Sequence, residues 1–414
     1  MGQMKNEYFS PTTTCKSVIA AFALGLLLQA CSVVGPPKPP PRPVPVPTPT
    51  PAEPVVRYEP TGWSQLPGWT DDDLREAWPA FLKSCRSLRF RAEWASACGA
   101  AQTLDAKSAK ALRAYFDRYF QPYAVVRQTG PLREDIGLIT GYYEPLLKGS
   151  RNASAKFPAA LYGPPADLLT IDLSSLYPEL KGKRLRGRVQ GNRVIPYYNR
   201  AELEGSTSLR GREIVWVDDA LDAFLLQVQG SGRVQLPNGD VIRLQYADQN
   251  GYPYQSIGRY LVDKGELTVE QATMPGIRQW LMSNPARLNE VLDSNPSFVF
   301  FSEEKLEDPS EGPKGAQGVP LTPGRSIAVD PASVPLGTPV FLDTTYPATT
   351  RPLQRLVVAQ DTGGAIRGTV RADFFWGFGH EAGDQAGRMR QPLRMWMLWP
   401  KAAGLPKSPQ SPGG

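Results

Sequence analysis

Three aspartates in the carboxyl-terminal part of the 414-residue chain are the strongest candidates for acid–base chemistry. Asp330 and Asp361 each follow an apolar run typical of a β-strand, and Asp373 opens an aromatic run. A carboxyl group that lies against aromatic rings and near a second carboxylate has a raised pKa, so it can act as a general acid near neutral pH. Gly363 and Gly364 would permit tight turns and let a ligand approach the backbone. The alternative, that these aspartates only cap strand ends, stays open on the spacing alone.

Other catalytic classes are excluded by counting. The chain has one histidine, His380, so it has no His-rich metal site, and its cysteines lack the spacing of zinc ligands. A Ser-His-Asp triad would have to use His380, and no G-x-S-x-G nucleophile elbow occurs. Neither a phosphate-binding G-x-x-x-x-G-K-[ST] motif nor a dinucleotide-binding G-x-G-x-x-G motif follows a strand. We therefore expect no metal and no cofactor, and we interpret His380 as structural.

Composition describes an ordinary globular protein with a mild basic bias. The 46 basic and 40 acidic residues are interspersed and give a net charge of +6, which indicates no nucleic-acid partner but permits attraction to an anionic polymer. The 41% hydrophobic content supplies a core despite 42 prolines. Only one apolar stretch approaches the length of a membrane span, which excludes a polytopic membrane protein.

That apolar stretch reads as a secretory signal. Lys5 and Lys16 precede an apolar run at 18–28, which is too short to span a bilayer comfortably. The segment LQAC at 28–31 resembles the lipobox of bacterial lipoproteins, so we expect residues 1–30 to be removed and Cys31 to be lipidated. Ser32 follows, which by resemblance to lipoprotein sorting favours the outer membrane. An ordinary cleaved signal with an incidental cysteine is the alternative.

The segment 31–56 then reads as a spacer, and two further cysteines lie beyond it. Eleven of the prolines fall between Pro36 and Pro54. In the polyproline II conformation these nineteen residues would reach roughly 60 Å. Cys85 and Cys98 lie thirteen positions apart and would be able to form a disulfide in an oxidising compartment, with two free thiols as the alternative.

The elements that must position the aspartates alternate between helical and β-type blocks. From about 71 to 123 the apolar spacing predicts helices, starting after the acidic run at 71–73. From 138 to about 246 the pattern predicts strands, among them 213–217 and 223–229, and a hairpin around Asn238-Gly239. Helices return with a capping box at 268–271 and an Asn-Pro start at 284–285. The chain is strand-rich again from about 299 to 399, and we expect 401–414 to be disordered.

Several motifs in order give a specific resemblance to a known family. DTGGAIRG at 361–368, ADFF at 372–375 and AVDPASVPLGT at 328–338 resemble the signature of the 3D domain, a double-psi β-barrel named for three aspartates. Upstream segments resemble the membrane-bound lytic murein transglycosylase A family: GYYEP at 141–145, VQGSG at 228–232, YADQNG at 246–251, SIGR at 256–259 and NPSFVFF at 295–301. The resemblance covers residues 60 to 400.

The resemblance implies a mainly β protein with helices, of the α+β class. It implies a main domain of 57–145 and 247–400, whose double-psi β-barrel with the 3D signature occupies about 318–400. An inserted, barrel-like β domain would occupy 146–246, with helices at the amino end and in the centre of the chain.

The resemblance also implies an activity and a site. The family cleaves the β-1,4 bond between N-acetylmuramic acid and N-acetylglucosamine of peptidoglycan without water and leaves a 1,6-anhydro end. Asp373 would be the acid and then the base, Asp361 the neighbour that raises its pKa, and Asp330 a third supporting carboxylate. The expected glycan-binding residues lie in a groove between the two domains: Thr140, Tyr142, Tyr143, Gln229, Ser231, Gly232, Gly363 and Gly364.

The same resemblance implies partners and a location. The partners would be peptidoglycan glycan strands, the outer membrane through the lipid anchor, and other cell-wall enzymes. The protein would lie on the periplasmic face of the outer membrane. Two alternatives stay open, a non-catalytic lipoprotein that binds peptidoglycan and a glycoside hydrolase that uses two carboxylates of the same barrel.

Overall fold

Strands and short helices alternate along the computed structural model, which describes residues 53–406 except positions 181, 182, 184, 205 and 307. In chain order the helices are α1 (Leu74–Leu88), α2 (Ala92–Ala101), α3 (Ala109–Tyr119), α4 (Arg200–Glu204), α5 (Ala220–Gln229), α6 (Ile257–Asp263), α7 (Met274–Ser283), α8 (Leu288–Asp293) and α9 (Gly379–Arg388). The strands are β1 (Val55–Pro60), β2 (Phe120–Thr129), β3 (Leu132–Glu134), β4 (Gly137–Glu144), β5 (Leu146–Ser150), β6 (Ala159–Tyr162), β7 (Leu169–Thr170), β8 (Arg186–Gln190), β9 (Arg193–Pro196), β10 (Glu213–Val217), β11 (Ser231–Gln235), β12 (Val241–Gln249), β13 (Val299–Glu304), β14 (Ser326–Val329), β15 (Pro339–Thr345), β16 (Pro352–Asp361), β17 (Arg371–Phe378) and β18 (Arg390–Pro400).

Some sequence predictions fall outside the described residues. They are the signal at 1–30, the lipidated Cys31, most of the spacer and the last part of the tail, 407–414. The first residues of the predicted tail are described, and Lys401–Ala403 forms a 3-10 turn. Within the part of the chain that is described, we find no helix with the length and apolar character needed to cross a membrane.

Helices α1–α3 form a layer against one wall of the main sheet. Asp73 caps α1 by accepting from the backbone of Arg75, and Ser108 caps α3 in the same way. The aromatic face of α3 belongs to the core, because Tyr115 and Phe116 are buried. A disulfide between Cys85 and Cys98 joins α1 to α2.

Six strands of the main sheet close into a barrel. Hydrogen-bonded neighbours follow the order β18-β15-β16-β14-β17-β4, and β18 pairs with β4 as well. β2 joins the outer side of β18, and β1 and β3 pair with β2. Apolar side chains such as Ile139, Ile327 and Phe374 fill the barrel core. The mixed α+β class predicted from the sequence is confirmed.

A second sheet, of six strands in the order β13-β12-β11-β5-β10-β6, lies beside the barrel. The predicted hairpin forms between β11 and β12, and Gly239 at its turn has φ 91°. The sheet includes β13, which lies beyond the insertion predicted at 146–246, because β13 pairs with the far edge of β12. A small third sheet contains β7, β8 and β9.

One predicted strand is wrong, because residues 223–229 form the larger part of helix α5. Asp219 caps the helix through the backbone of Asp222, and Gly230 ends it in the left-handed conformation with φ 80°. Leu221, Phe224 and Leu226 are buried on this helix, so its apolar run is a buried helical face. The capping residues on either side, Asp219 and Gly230, distinguish this helix from a buried strand.

Helix α6 precedes the predicted start of the central helices at 268, whereas α7 and α8 begin slightly later than their predicted starts. Thr268 and Gln271 form the reciprocal hydrogen bonds of a capping box, but they enclose a turn, and α7 begins at Met274 with Thr273 as its cap. Asn284 donates its side-chain amide to the carbonyl of Trp280 at the end of α7, so its side chain does not cap the following turn.

Candidate active site

The candidate site is a row of side chains across four neighbouring barrel strands. Asp361 of β16 and Asp373 of β17 both pair with Ala328 of β14, and Asp373 pairs on its other side with Thr140 of β4. Side chains alternate along a strand, and the neighbour Ala372 lies in the barrel core, so Asp373 and Thr140 point outward. The small side chain of Ala328 lies between the two aspartates in the row.

Asp373 is held by a short chain of hydrogen bonds. The Thr140 hydroxyl donates to Oδ1 of Asp373 at 2.5 Å, and Arg371 Nη2 donates to the same hydroxyl oxygen at 2.9 Å. Because the hydroxyl oxygen accepts from arginine, its single proton is directed at Asp373. Among the described residues, no donor contacts the other oxygen, Oδ2, which leaves that oxygen available to a substrate.

Burial controls the proton affinity of this carboxyl group. It raises the pKa of Asp373 to about 6, because the protein around the group disfavours its charged form. The Thr140 hydrogen bond and the positive charge of Arg371 lower the pKa, while the charge of Asp361 raises it by the smallest contribution. The aspartate neighbour thus acts in the direction expected from the sequence, but burial is the main cause.

Asp361 is engaged differently. The Tyr142 hydroxyl donates to Oδ2 at 3.0 Å, and the backbone N–H of Ala316 donates to Oδ1 at 2.9 Å. Burial and the charges of the two aspartates hold the pKa of Tyr142 well above its usual range, so the phenol keeps its proton and remains a donor. Donors therefore hold both oxygens of Asp361 in place, in contrast to the single donor on Asp373.

The third aspartate organises the loop between β16 and β17. Asp330 accepts the backbone N–H of Ala332 at 3.1 Å on one oxygen and that of Gly368 at 2.9 Å on the other. These bonds tie the turn after β14 to the loop that carries Gly363 and Gly364, both of which are at least partly exposed. Both oxygens of Asp330 thus accept from backbone amides, whereas Oδ2 of Asp373 accepts from no described donor.

Some of the predicted binding residues lie around the row. The ring of Tyr142 is 5.2 Å from that of Phe375, and the backbone N–H of Tyr143 donates to Gln229 Oε1 at 3.3 Å. Tyr143 packs against α9, where a Cβ at Gly383 would come within 2.9 Å of its ring. Thr140, Tyr142 and Tyr143 follow one another on β4, so this strand leads from the barrel toward α5.

Two predicted binding residues lie inside the second sheet. Ser231 and Gly232 are buried in β11. A Cβ at Gly232 would come within 2.4 Å of Leu226 on α5, so close packing of the helix on the strand explains this glycine. The structure therefore brings Thr140, Tyr142 and Asp373 together but separates Ser231 and Gly232 from the surface.

A buried charge cluster joins the barrel to the second sheet. Glu144, the last residue of β4, is fully buried and accepts from Arg233 Nε at 2.7 Å and from Arg243 Nε at 2.8 Å. The two arginines belong to β11 and β12, and both also donate to the backbone carbonyl of Glu311. This Glu144 cluster fixes the end of the strand that carries Thr140.

Residues that the sequence reasoning missed complete the site. Arg371 lies two positions before Asp373 on the same strand and therefore on the same face, a signal that strand alternation supplies. Ala316 comes from a loop that no local pattern links to Asp361. No group of three or more His, Cys, Asp or Glu side chains in the described ranges is arranged to hold a metal ion.

Two family models match the chain. A model described as the MltA specific insert domain matches residues 138–302, and one described as the 3D domain matches residues 325–399. Asp361 and Asp373 lie within the second match, and Thr140 and Tyr142 lie within the first. The residues of the candidate row therefore come from both matched regions.

Solved structures and a curated protein resemble the chain. A lytic transglycosylase, LtgG, of Burkholderia pseudomallei is 49% identical, with 83% of this chain and 95% of that chain covered and a TM-score of 0.57. MltA from Neisseria gonorrhoeae is 34% identical, with 88% and 98% covered and a TM-score of 0.74. The membrane-bound lytic murein transglycosylase A of Vibrio cholerae is 31% identical over 66% of this chain and 66% of its own length, which is just under two thirds.

Proposed function

The chain belongs to the membrane-bound lytic murein transglycosylase A family, and on that premise we propose that it is a peptidoglycan lytic transglycosylase. The substrate would be the β-1,4 bond between N-acetylmuramic acid and N-acetylglucosamine in glycan strands. Cleavage would form a 1,6-anhydromuramoyl end and would consume no water. The observation that carries this proposal is one carboxyl group, Asp373, whose pKa is raised to about 6 and whose Oδ2 accepts no hydrogen bond from a described residue.

Asp373 would supply both proton transfers. In its protonated form it gives a proton from Oδ2 to the glycosidic oxygen as the bond from that oxygen to C1 of the muramoyl residue breaks. The C6 hydroxyl of the same residue attacks C1, and the carboxylate of Asp373 takes the hydroxyl proton. The group returns to its starting protonation state, so one acid completes the cycle without a base to activate water.

The other aspartates would support this acid without transferring protons. Asp361 is held by Tyr142 and Ala316, and its negative charge favours the protonated form of Asp373. Asp330 would shape the loop of Gly363 and Gly364, along which we propose that the glycan backbone passes. The arrangement differs from that of a two-carboxylate hydrolase, in which the second carboxylate must activate either water or C1.

We propose that the glycan lies across the row and along β4. Thr140, Tyr142 and Tyr143 would line it on the barrel side, and Gln229 at the end of α5 on the other side, where it contacts the backbone of Tyr143. Ser231 and Gly232 would contribute through the strand that supports α5. Aromatic faces and amide groups suit the apolar faces and hydroxyls of sugar rings.

The fragments that the protein releases from murein identify the reaction. Purified protein is incubated with murein, and the released fragments are identified by mass spectrometry. Anhydromuropeptides are expected, fragments with ordinary reducing ends would instead indicate a hydrolase, and an absence of fragments would indicate a binding protein. Asp373→Asn should abolish turnover, whereas Asp263→Asn, which removes an exposed carboxylate on α6, should leave turnover unchanged.

The architecture and location remain part of the proposal. We propose that the six-stranded barrel has double-psi topology and that residues 146–246 form an inserted, barrel-like β domain. We also propose removal of the signal at 1–30, lipidation at Cys31 and attachment to the periplasmic face of the outer membrane, with other cell-wall enzymes as partners. The segment LQAC at 28–31 and the membrane-bound relatives support the anchor. Cys31→Ala should release the protein from membranes, and continued tight membrane association would contradict lipidation.

A further inference from the structure

Two arginines lie on the barrel surface next to Asp373, and neither is explained by the proton transfers. Arg371 extends from β17 across β4, where Nη1 donates to the carbonyl of Leu138 at 3.5 Å and Nη2 donates to the Thr140 hydroxyl at 2.9 Å. On the far side of β4, Arg390 of β18 is the direct partner of Thr140. The two arginines therefore flank the strand that carries Thr140 from its two sides.

The pair places two positive charges beside a single carboxyl group, that of Asp373. Burial lowers the pKa of Arg371, the charge of Asp373 raises it, and the charge of Arg390 lowers it. Arg390 is exposed, and its side chain makes no hydrogen bond or ion pair with any described residue. Asp373 is neutral when it is ready to donate its proton, so it does not offset the pair in that state.

In two buried clusters of the chain, arginines are compensated by protein carboxylates. Arg325 pairs with Asp72 at 2.8 Å, and the Glu144 cluster balances Arg233 and Arg243. Neither Arg371 nor Arg390 forms a salt bridge with a carboxylate of the described residues, and both approach the strand that carries Thr140. Because a guanidinium group presents a fork of N–H donors that matches a carboxylate, the missing partner is best supplied by a carboxylate of the ligand.

We propose that Arg390 and the outer edge of Arg371 form an anion subsite that binds a carboxylate carried by the lactyl arm of the muramoyl residue. The inference rests on the proposed function. N-acetylmuramic acid differs from N-acetylglucosamine by a lactyl ether on C3, and this arm ends either in its own carboxylate or in a stem peptide with carboxylates. Arg390 lies across β4 from Asp373, so the subsite orients the muramoyl residue with its C1 at the acid and discriminates murein from uncharged chitin-like glycans.

Binding to three glycans of equal length tests the subsite. They are strands stripped of peptide, strands that keep their stem peptides, and N-acetylglucosamine oligomers, which carry no carboxylate. Affinities are measured by calorimetry with the full chain carrying Asp373→Asn, so that no ligand is cleaved. Adding Arg390→Gln should weaken the binding of carboxylate-bearing glycan about tenfold, as expected for the loss of one charge-assisted hydrogen-bonded pair. It should leave the affinity for the uncharged oligomer unchanged.

A matched control removes the same charge elsewhere on the strand. Arg394→Gln lies four residues further along β18, where the arginine approaches Asp135 at 3.8 Å, and it should bind all three glycans like the parent. If Arg390→Gln loses affinity only for stripped strands, the bound group is the lactyl carboxylate. If it loses affinity only for peptide-bearing strands, the bound group is a carboxylate of the stem peptide. Equal loss on all three glycans, or no loss on any, overturns the subsite.

The subsite and the reaction can fail separately. If the wild-type protein releases no anhydro products while Arg390→Gln still weakens the binding of carboxylate-bearing glycan alone, the proposed reaction is wrong and the proposed subsite stands. If anhydro products form while Arg390→Gln binds all glycans like its parent, the subsite is wrong and the reaction stands. Arg390→Lys keeps the charge without the fork, so it should recover part of the lost affinity.

Discussion

Replacing Asp373 with asparagine should make the protein more stable at neutral pH while it removes the acid. Burial raises the pKa of Asp373 from 3.8 to about 6 in the folded protein. Each pKa unit corresponds to about 1.4 kcal/mol, so keeping the ionised group in the folded state costs about 3 kcal/mol above pH 6. Asparagine keeps an oxygen to accept from Thr140 and carries no charge, so it avoids this cost.

The upward direction of this pKa shift gives the stability of Asp373→Asn a characteristic pH dependence. The folded protein binds the proton of Asp373 more tightly than the unfolded chain does, so this group favours folding fully below pH 3.8 and loses that contribution as the pH rises through about 6. The stability gained by Asp373→Asn should therefore be close to zero at pH 3.8 and below and should grow to its full value near pH 7.

Thermal unfolding of both proteins between pH 4 and pH 8 measures this difference. For a chain of this size, about 3 kcal/mol corresponds to a Tm about 4 °C higher for Asp373→Asn at pH 8. Asp330→Asn is the control, because both oxygens of Asp330 accept backbone N–H groups and an amide can accept on only one; it should lower Tm at pH 8. A Tm difference for Asp373→Asn that is the same at every pH, or a lower Tm at pH 8, would refute the reasoning.

Three other predictions concern groups around the site. Thr140→Val removes the hydrogen bond that lowers the pKa of Asp373, so the alkaline limb of the pH–rate profile should move to higher pH and kcat should fall about tenfold. Glu144→Gln leaves two buried guanidinium groups without a carboxylate and should reduce the free energy of unfolding in urea by about 3–5 kcal/mol, whereas the exposed Glu303→Gln should cost less than about 1 kcal/mol. Reducing the Cys85–Cys98 disulfide, which closes a loop with a sequence separation of 13, should cost about 3 kcal/mol in the same assay, and an unchanged urea midpoint would contradict this.

The chemistry of Asp373 was accessible from the sequence, but its surroundings were only partly so. The aromatic residues after it and the neighbouring Asp361 predict a raised pKa, and the structure shows that burial makes the larger contribution. Thr140 lies 233 positions away along the chain. No local pattern joins the two, and only the motif resemblance placed Thr140 at the same site. Arg390 was missed because the pairing of β18 with β4 is a long-range contact with no sequence signature.

Helix α5 shows how local evidence can mislead. Phe224, Leu225 and Val228 form part of an apolar run that resembles a buried strand, and periodicity alone does not separate the two over so few residues. The decisive signals were at the ends, where Asp219 caps the helix and Gly230 terminates it. The same error did not arise at β11 and β12, because the Asn-Gly turn identified that hairpin directly.

The closure of the barrel has a consequence for when the protein can work. β4 is made early, yet it is held between β17 and β18, and β18 ends at Pro400. Contacts between such distant segments form late, because the chain between them must first be available. Thr140 and Asp373 therefore come together only when β17 and β18 are both available to pair with β4. Before the barrel closes, Asp373 lacks both its burial and its hydrogen bond from Thr140, so its raised pKa arises only in the folded protein.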